Sequence, residues 1–370
     1  MAAMIELPSS ASLDTRSLQR LFDNMSECYK LFWFEAIVNE VAAGNTLLSF
    51  DTLVNDMIAS AWYMVCEYRL NLGPNDTLEA AVRMAQKISG LKSAEKKEKI
   101  ISEVSAITDR DFLKKKQTLT YHVPYRLQSP FLPGVKGPVW QMSQARLAEV
   151  INDGQNNIYQ FGPVSGLKST IEVKPLWAEY IRANLGVIIG WIRYNMINYL
   201  QRRNPSVPGI SCKLEPPASE KLEKVREFWR IASAVTDIHE IYGGNTVVQT
   251  DISIDHFVPW SYVAHDEFWN LSPTTKSINS QKSNNLPEWE RYFPELCAVE
   301  FKAYEAVWQN EKLHASFEKC LHDHVNSDDV RLHLYRKGVE REEYYNRLEK
   351  LILPAYRAAE NMGFAKWKLE

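Results

Sequence analysis

The chain has 370 residues, enough for two or three domains of ordinary size. Hydrophobic residues make up 45% and charged residues 24%, which excludes a disordered polymer and allows a substantial core. The net charge of −3 excludes a polycation, so any contact with nucleic acid has to come from a local basic patch, a metal or a partner.

Residues 13–116 read as an N-terminal helical domain. Ser26 is placed to cap a helix over 27–41, where Leu31, Phe34, Ile37, Val38 and Val41 share one stripe. Ser49 is placed to cap a second helix over 51–72, and amphipathic helices follow at 77–89 and 94–106. The mixed-sign run Ala94-Glu95-Lys96-Lys97-Glu98-Lys99 reads as a solvated helix face rather than a DNA contact.

Residues 117–235 read as a mixed middle region. Tyr121, Val123 and Tyr125 alternate over 118–126, predicting a strand or extended segment that Pro124 keeps from the centre of a sheet. Prolines and glycines at 130–138 mark a loop and a domain boundary. Residues 156–173 look irregular or β-like, and Lys174-Pro175 opens a long helix over 176–200. Beyond its end, Arg202, Arg203 and Lys213 suit phosphate binding and helix-dipole neutralisation equally well. Another helix is expected over 220–235.

Residues 291–370 read as a C-terminal helical region, with helices at 296–311, 313–325, 328–337 and 339–362. Cys320, His322 and His324 look like a ligand cluster, but only Cys320 and His324 share a helix face, too few for structural zinc. His239-Glu240 likewise lacks a second ligand at fixed spacing, and His265 reads as an exposed loop histidine. The five cysteines are scattered and odd in number, which points to a reducing cytoplasm. The start of the chain has no basic region and no long apolar run, so no secretory leader is expected, and the longest apolar stretch is too short for a bilayer.

The stretch 250–287 carries the chemistry. Ile252 and Ile254 alternate with polar residues, predicting a short half-buried strand that delivers Asp255 and His256 at its end. Pro259 stops strand pairing, 261–267 is a loop, and 270–272 is a second short strand. Thr274 or Thr275 then caps a helix running through Asn279 and Lys282 to about Asn284. Neighbours on an extended strand point opposite ways, so Asp255 and His256 serve one site only if the chain bends there. A carboxylate and the Asn279 amide oxygen, with waters, suit a hard ion such as Mg²⁺. His256, left off the metal, suits general-base work near neutral pH.

These residues closely resemble HNH nuclease domains of the ββα-metal fold, most nearly the HNH domain of the RNA-guided type II CRISPR effector nucleases. The pattern is Asp255-His256, then Asn270 fourteen positions after the His, then Asn279 nine positions later, continued by Lys282-Ser283-Asn284-Asn285-Leu286-Pro287. The resemblance implies that Asp255 and Asn279 hold Mg²⁺ or Mn²⁺ and that His256 is the general base. It also implies that Asn270 braces the loop aiming His256, and that Lys282 approaches the scissile phosphate. Asn279 stands where the family name has its last His, as in the CRISPR-type subgroup. No C-x-x-C pair is present to form the zinc ribbons that flank many such sites. A full RNA-guided effector is not expected, since no arginine-rich guide-binding helix and no second nuclease domain are read.

The expected fold is therefore mainly α with a small α+β module at 236–290, flanked by helical domains. The expected function is metal-dependent hydrolysis of DNA phosphodiester bonds by a cytoplasmic protein of a prokaryotic defence or mobile-element system. DNA is the expected partner, with a protein partner from the same operon and no membrane. The alternatives are a non-catalytic nucleic-acid-binding or assembly subunit that keeps the HNH shape, and a nuclease for RNA or branched DNA.

Overall fold

The computed structural model describes residues 6–23, 25–74, 76–135, 137–216, 222–263, 266–321 and 330–369. The chain divides into two compact units, one of residues 1–205 with 213–216 and one of 206–212 with 217–370. Helices dominate both and the sheets are small, as a mainly α chain with a small α+β module requires.

In the first unit, α1 (Thr15–Gln19) and α2 (Tyr29–Ala42) lead to β1 (Leu47–Ser49) and α3 (Phe50–Cys66). The Ser49 hydroxyl accepts the Thr52 N–H at 3.0 Å, so α3 starts where a capping serine placed it. Next come α4 (Thr77–Ser89), α5 (Lys97–Ala106), α6 (Arg110–Thr118), α7 (Val123–Arg126) and α8 (Gln144–Asn152). Then β2 (Tyr159–Phe161) and β3 (Thr170–Val173) join β1 in an antiparallel sheet of order β1-β3-β2. The mixed charge run is only partly solvated. Lys99 pairs with Glu95 on the surface, but the Lys97 ammonium reaches Asp56 on α3 at 3.0 Å.

Three expectations fail here. Helix α2 starts at Tyr29, with Cys28 rather than Ser26 at its N-cap and no side-chain bond closing that end. The segment 118–126 is not extended: α6 ends at Thr118, a turn follows, and 123–126 are helical because Pro124 sits in the first turn of α7, where its fixed φ suits a helix and its missing N–H costs nothing. The long helix over 176–200 is two helices, α9 (Pro175–Ala183) and α10 (Leu185–Arg203). They part at Asn184, whose side-chain amide donates to the Tyr180 carbonyl at 2.9 Å while its backbone leaves helical geometry.

The second unit is built around α11 (Glu223–Val235), β4 (Ser253–His256), α12 (Trp260–Val263), β5 (Leu271–Thr274), α13 (Lys276–Lys282) and β6 (Leu286–Pro287). It closes with α14 (Trp289–Gln309), α15 (Glu311–Leu321), a π-helical turn at Val330–Leu334, α16 (Arg341–Asn361) and β7 (Lys366–Trp367). Strands β4 and β5 pair antiparallel with Asp255 opposite Ser272 and His256 opposite Leu271. Helix α11 clamps this hairpin: buried Trp229 donates its indole N–H to the Leu271 carbonyl at 3.1 Å. Phe228, Phe268, Phe317 and Tyr335 pack ring on ring behind it.

Helix α13 presents the site residues and owes its start to Thr275, whose hydroxyl accepts the Ile278 N–H at 3.2 Å. Thr275→Ala should therefore cost about 1 kcal/mol. The check is the urea midpoint, which should fall with an unchanged slope. An unmoved midpoint would show that the cap contributes nothing.

Candidate active site

The end of β4 and the face of α13 enclose a cleft of about 200 Å³ lined by Asp255, His256, Pro259, Asn279, Lys282 and Ser283 among others. The expected bend is present. After His256 the backbone turns through Pro259 into α12, so neighbours that face opposite ways on the strand both border one space.

Asp255 is buried and both its carboxylate oxygens are engaged. Oδ1 accepts from the Lys282 ammonium at 3.0 Å, and Oδ2 accepts from the Tyr242 hydroxyl. Burial pulls the Lys282 pKa down, against the pull of Asp255 upward. Burial and the Asp255 charge hold the Tyr242 hydroxyl far above its usual value, so it stays a donor. Tyr242 stands in a turn organised by buried Glu240, whose carboxylate accepts the N–H groups of Tyr242 at 2.9 Å and Gly243 at 2.6 Å. Glu240 therefore caps its own turn, while the neighbouring His239 bonds Asp237 at the surface.

His256 places Nε2 at 2.8 Å from Asp266 Oδ1. Its Nδ1 makes no hydrogen bond among the described residues. Asn270 is fully buried and reaches Val258 twice, accepting the Val258 N–H at 2.7 Å and donating to the Val258 carbonyl at 2.8 Å. Its own carbonyl accepts the Phe257 N–H. These bonds tie down the backbone just after His256.

Asn279 donates its amide N–H groups to Ser253 Oγ at 2.9 Å and the Ile254 carbonyl at 3.1 Å. That leaves Oδ1 as the unused atom of a residue that lines the cleft with Asp255. Each Asp255 oxygen accepts one donor and keeps a lone pair. One carboxylate and one amide oxygen beside open space fit a hard divalent cation completed by waters. Among the described residues no three His, Cys, Asp or Glu gather to offer a softer or more acidic site. Ser283 follows with φ +49, a left-handed conformation that costs a serine of order 1–3 kcal/mol and ends α13 at the cleft.

The structure thus brings Asp255, His256, Asn279 and Lys282 together, with Asn270 one step behind. Lys282 differs from its expected pose. Its ammonium is buried and also donates to the His256 carbonyl at 2.7 Å, so it binds the two residues of the motif rather than projecting outward. Tyr242 and Asp266 were missed by sequence reasoning, because a tyrosine thirteen positions upstream and a loop aspartate carry no periodic signal. Lys213 is buried over the Tyr68 ring, and Arg203 donates to the Ser26 carbonyl, which answers for two of the three cations beyond α10. Cys320 is a buried thiol; His265, His322 and His324 lie outside the described residues.

Lys282→Met should destabilise the protein by about 3 kcal/mol, because it strands the Asp255 carboxylate in the core. Adding Asp255→Asn should recover much of that loss in urea unfolding, and strictly additive losses would show that the pair is not coupled.

Residues 240–288 match a family model described as HNH endonuclease. The match spans the Glu240 turn, both strands of the hairpin and α13. No curated protein and no solved structure matches the chain. The module is therefore similar to the nuclease domains of the HNH family.

Proposed function

We propose that the chain is a metal-dependent endonuclease that hydrolyses DNA phosphodiester bonds in the cleft between β4 and α13. The observation that supports this best is the setting of His256. One ring nitrogen is engaged by Asp266, and His256 lines the cleft shared with Asp255 and Asn279. An aspartate on the Nε2–H selects the tautomer that leaves Nδ1 as a proton acceptor. His256 takes a proton from the water that attacks phosphorus, and Asp266 steadies the imidazolium that results. Asp255 and Asn279 would hold Mg²⁺ or Mn²⁺, whose charge would stabilise the phosphate oxygens. Asn270 keeps the Val258 backbone, and with it His256, in the attacking geometry. Lys282 holds the Asp255 carboxylate in place between turnovers.

A site of this kind meets the phosphate backbone rather than base edges, so DNA as substrate rests on the family resemblance. The five cysteines form no disulfide among the described residues, which agrees with a reducing cytoplasm, and among the described residues no helix is long and apolar enough to cross a membrane. A role in prokaryotic defence or in a mobile element, with a partner encoded alongside, completes the proposal.

Nicking of supercoiled plasmid in Mg²⁺ tests the chemistry. His256→Ala should lose at least about 10²-fold in rate, and Asp266→Asn at least about tenfold. Cleavage that survives EDTA, or wild-type rates in His256→Ala, would refute the mechanism.

Asn270→Ala should separate positioning from metal binding. Both Val258 groups lose their partner, so stability should drop by about 2 kcal/mol or more. At a temperature where the variant is fully folded, Mn²⁺ affinity should stay near normal while the rate at saturating Mn²⁺ remains strongly reduced. A return to the wild-type rate at saturating metal would end the bracing role.

A further inference from the structure

Two cavities in the first unit, of about 560 and 580 Å³, share three wall residues: His122, Arg126 and Trp140. Each is large enough for a nucleotide-sized ligand. Trp140 donates its indole N–H to the Val135 carbonyl at 3.3 Å, which orients a ring that stays half-buried. Tyr121, on the wall of the second cavity, is 41% exposed. Lys30 lines the first cavity, so three basic side chains meet at one place. Burial, and then the neighbouring Arg126 charge, lower the pKa of both Lys30 and His122. Asp23 opposes this at Lys30, and Glu27 is the acidic residue on the cavity wall, with one oxygen buried. Among the described residues no carboxylate pairs with Arg126 or His122. Arg126 therefore has no bonded carboxylate among the described residues, which suits its guanidinium to an anion. In a chain of net charge −3, this is the local basic spot that nucleic-acid contact requires.

We propose that this groove binds single-stranded nucleic acid, with Arg126 and Lys30 on phosphates and an unpaired base stacked on Trp140. The aromatic ring selects the single strand: duplex bases are stacked on one another, whereas an unpaired base offers its face to a side chain. The proposal rests on the nuclease reading above and gives the substrate a second point of attachment on the same chain.

The test is fluorescence anisotropy of a labelled oligonucleotide of about 12 nucleotides with the full chain carrying His256→Ala, in EDTA. Cleavage and metal then contribute nothing to the signal. Trp140→Ala should weaken binding about 5- to 100-fold, the range of one base–aromatic stack. Arg126→Gln should weaken binding and flatten the salt dependence by about 0.7 in slope, while Arg126→Lys should retain it. Far-UV circular dichroism confirms that each variant is folded, and Arg126 is exposed, so its replacement leaves the core intact. Absence of binding, unchanged binding in Trp140→Ala and Arg126→Gln, or a preference for duplex that Trp140→Ala leaves unaltered would overturn the proposal. Binding lost in these variants of a protein that never cleaves plasmid keeps the groove and removes the nuclease. Cleavage with binding indifferent to the groove does the reverse.

Discussion

An ammonium group that no solvent reaches has to be held by the protein, and Lys282 is such a group. Its partners are the Asp255 carboxylate and the His256 carbonyl, the two consecutive residues of the motif. One buried charge therefore fixes the end of β4 against the end of α13. The Tyr242 hydroxyl answers the other carboxylate oxygen, so Asp255 is oriented from two sides. The same pair makes the site expensive to alter: either partner alone in the core costs several kcal/mol, while both together are tolerated.

The second constraint is neutral. Asn270 satisfies both backbone groups of Val258, which lie in a buried turn with no strand neighbour to serve them. An amide is the side chain that can both donate and accept at that distance, which explains the residue type without reference to catalysis. What it secures, however, is the position of His256 two residues earlier.

Most of the module was legible in the sequence because its cues are local. Ile252 and Ile254 alternate, Pro259 breaks the pairing, and Thr275 caps α13 as its position suggested. The spacing of Asp255, Asn270 and Asn279 places them around one cleft or just behind it. What could not be read depends on contacts between distant segments. Tyr242 and Asp266 belong to turns with no period, and the burial of Lys282, expected to approach a phosphate, follows only from the carboxylate it meets across the fold. Elsewhere two of the misreadings share one cause. Pro124 and Asn184 each permit two backbone outcomes, and tertiary packing chose between them: Val123 and Tyr125 bury together in α7, and Asn184 takes over a helical carbonyl.

The motif is compact in sequence, but its support is not. Strand β6, at the edge of the matched segment, pairs in parallel with β7 at residues 366–367. The Tyr356 hydroxyl on α16 donates to the Pro287 carbonyl at 2.7 Å. Trp367 and Tyr292 each meet the Tyr242 ring edge-on at 5.1 Å, and Tyr242 is the residue that holds Asp255. The orientation of the candidate metal carboxylate is thus set partly by Trp367, more than a hundred positions away in sequence. Excising 240–288 would remove these aromatic walls and expose apolar surface that the hairpin cannot cover alone, since two strands and a seven-residue helix are too small a core. The helices that follow the hairpin are therefore part of the site's architecture: they supply the buried surroundings in which Lys282, Asp255 and Tyr242 can bind one another strongly.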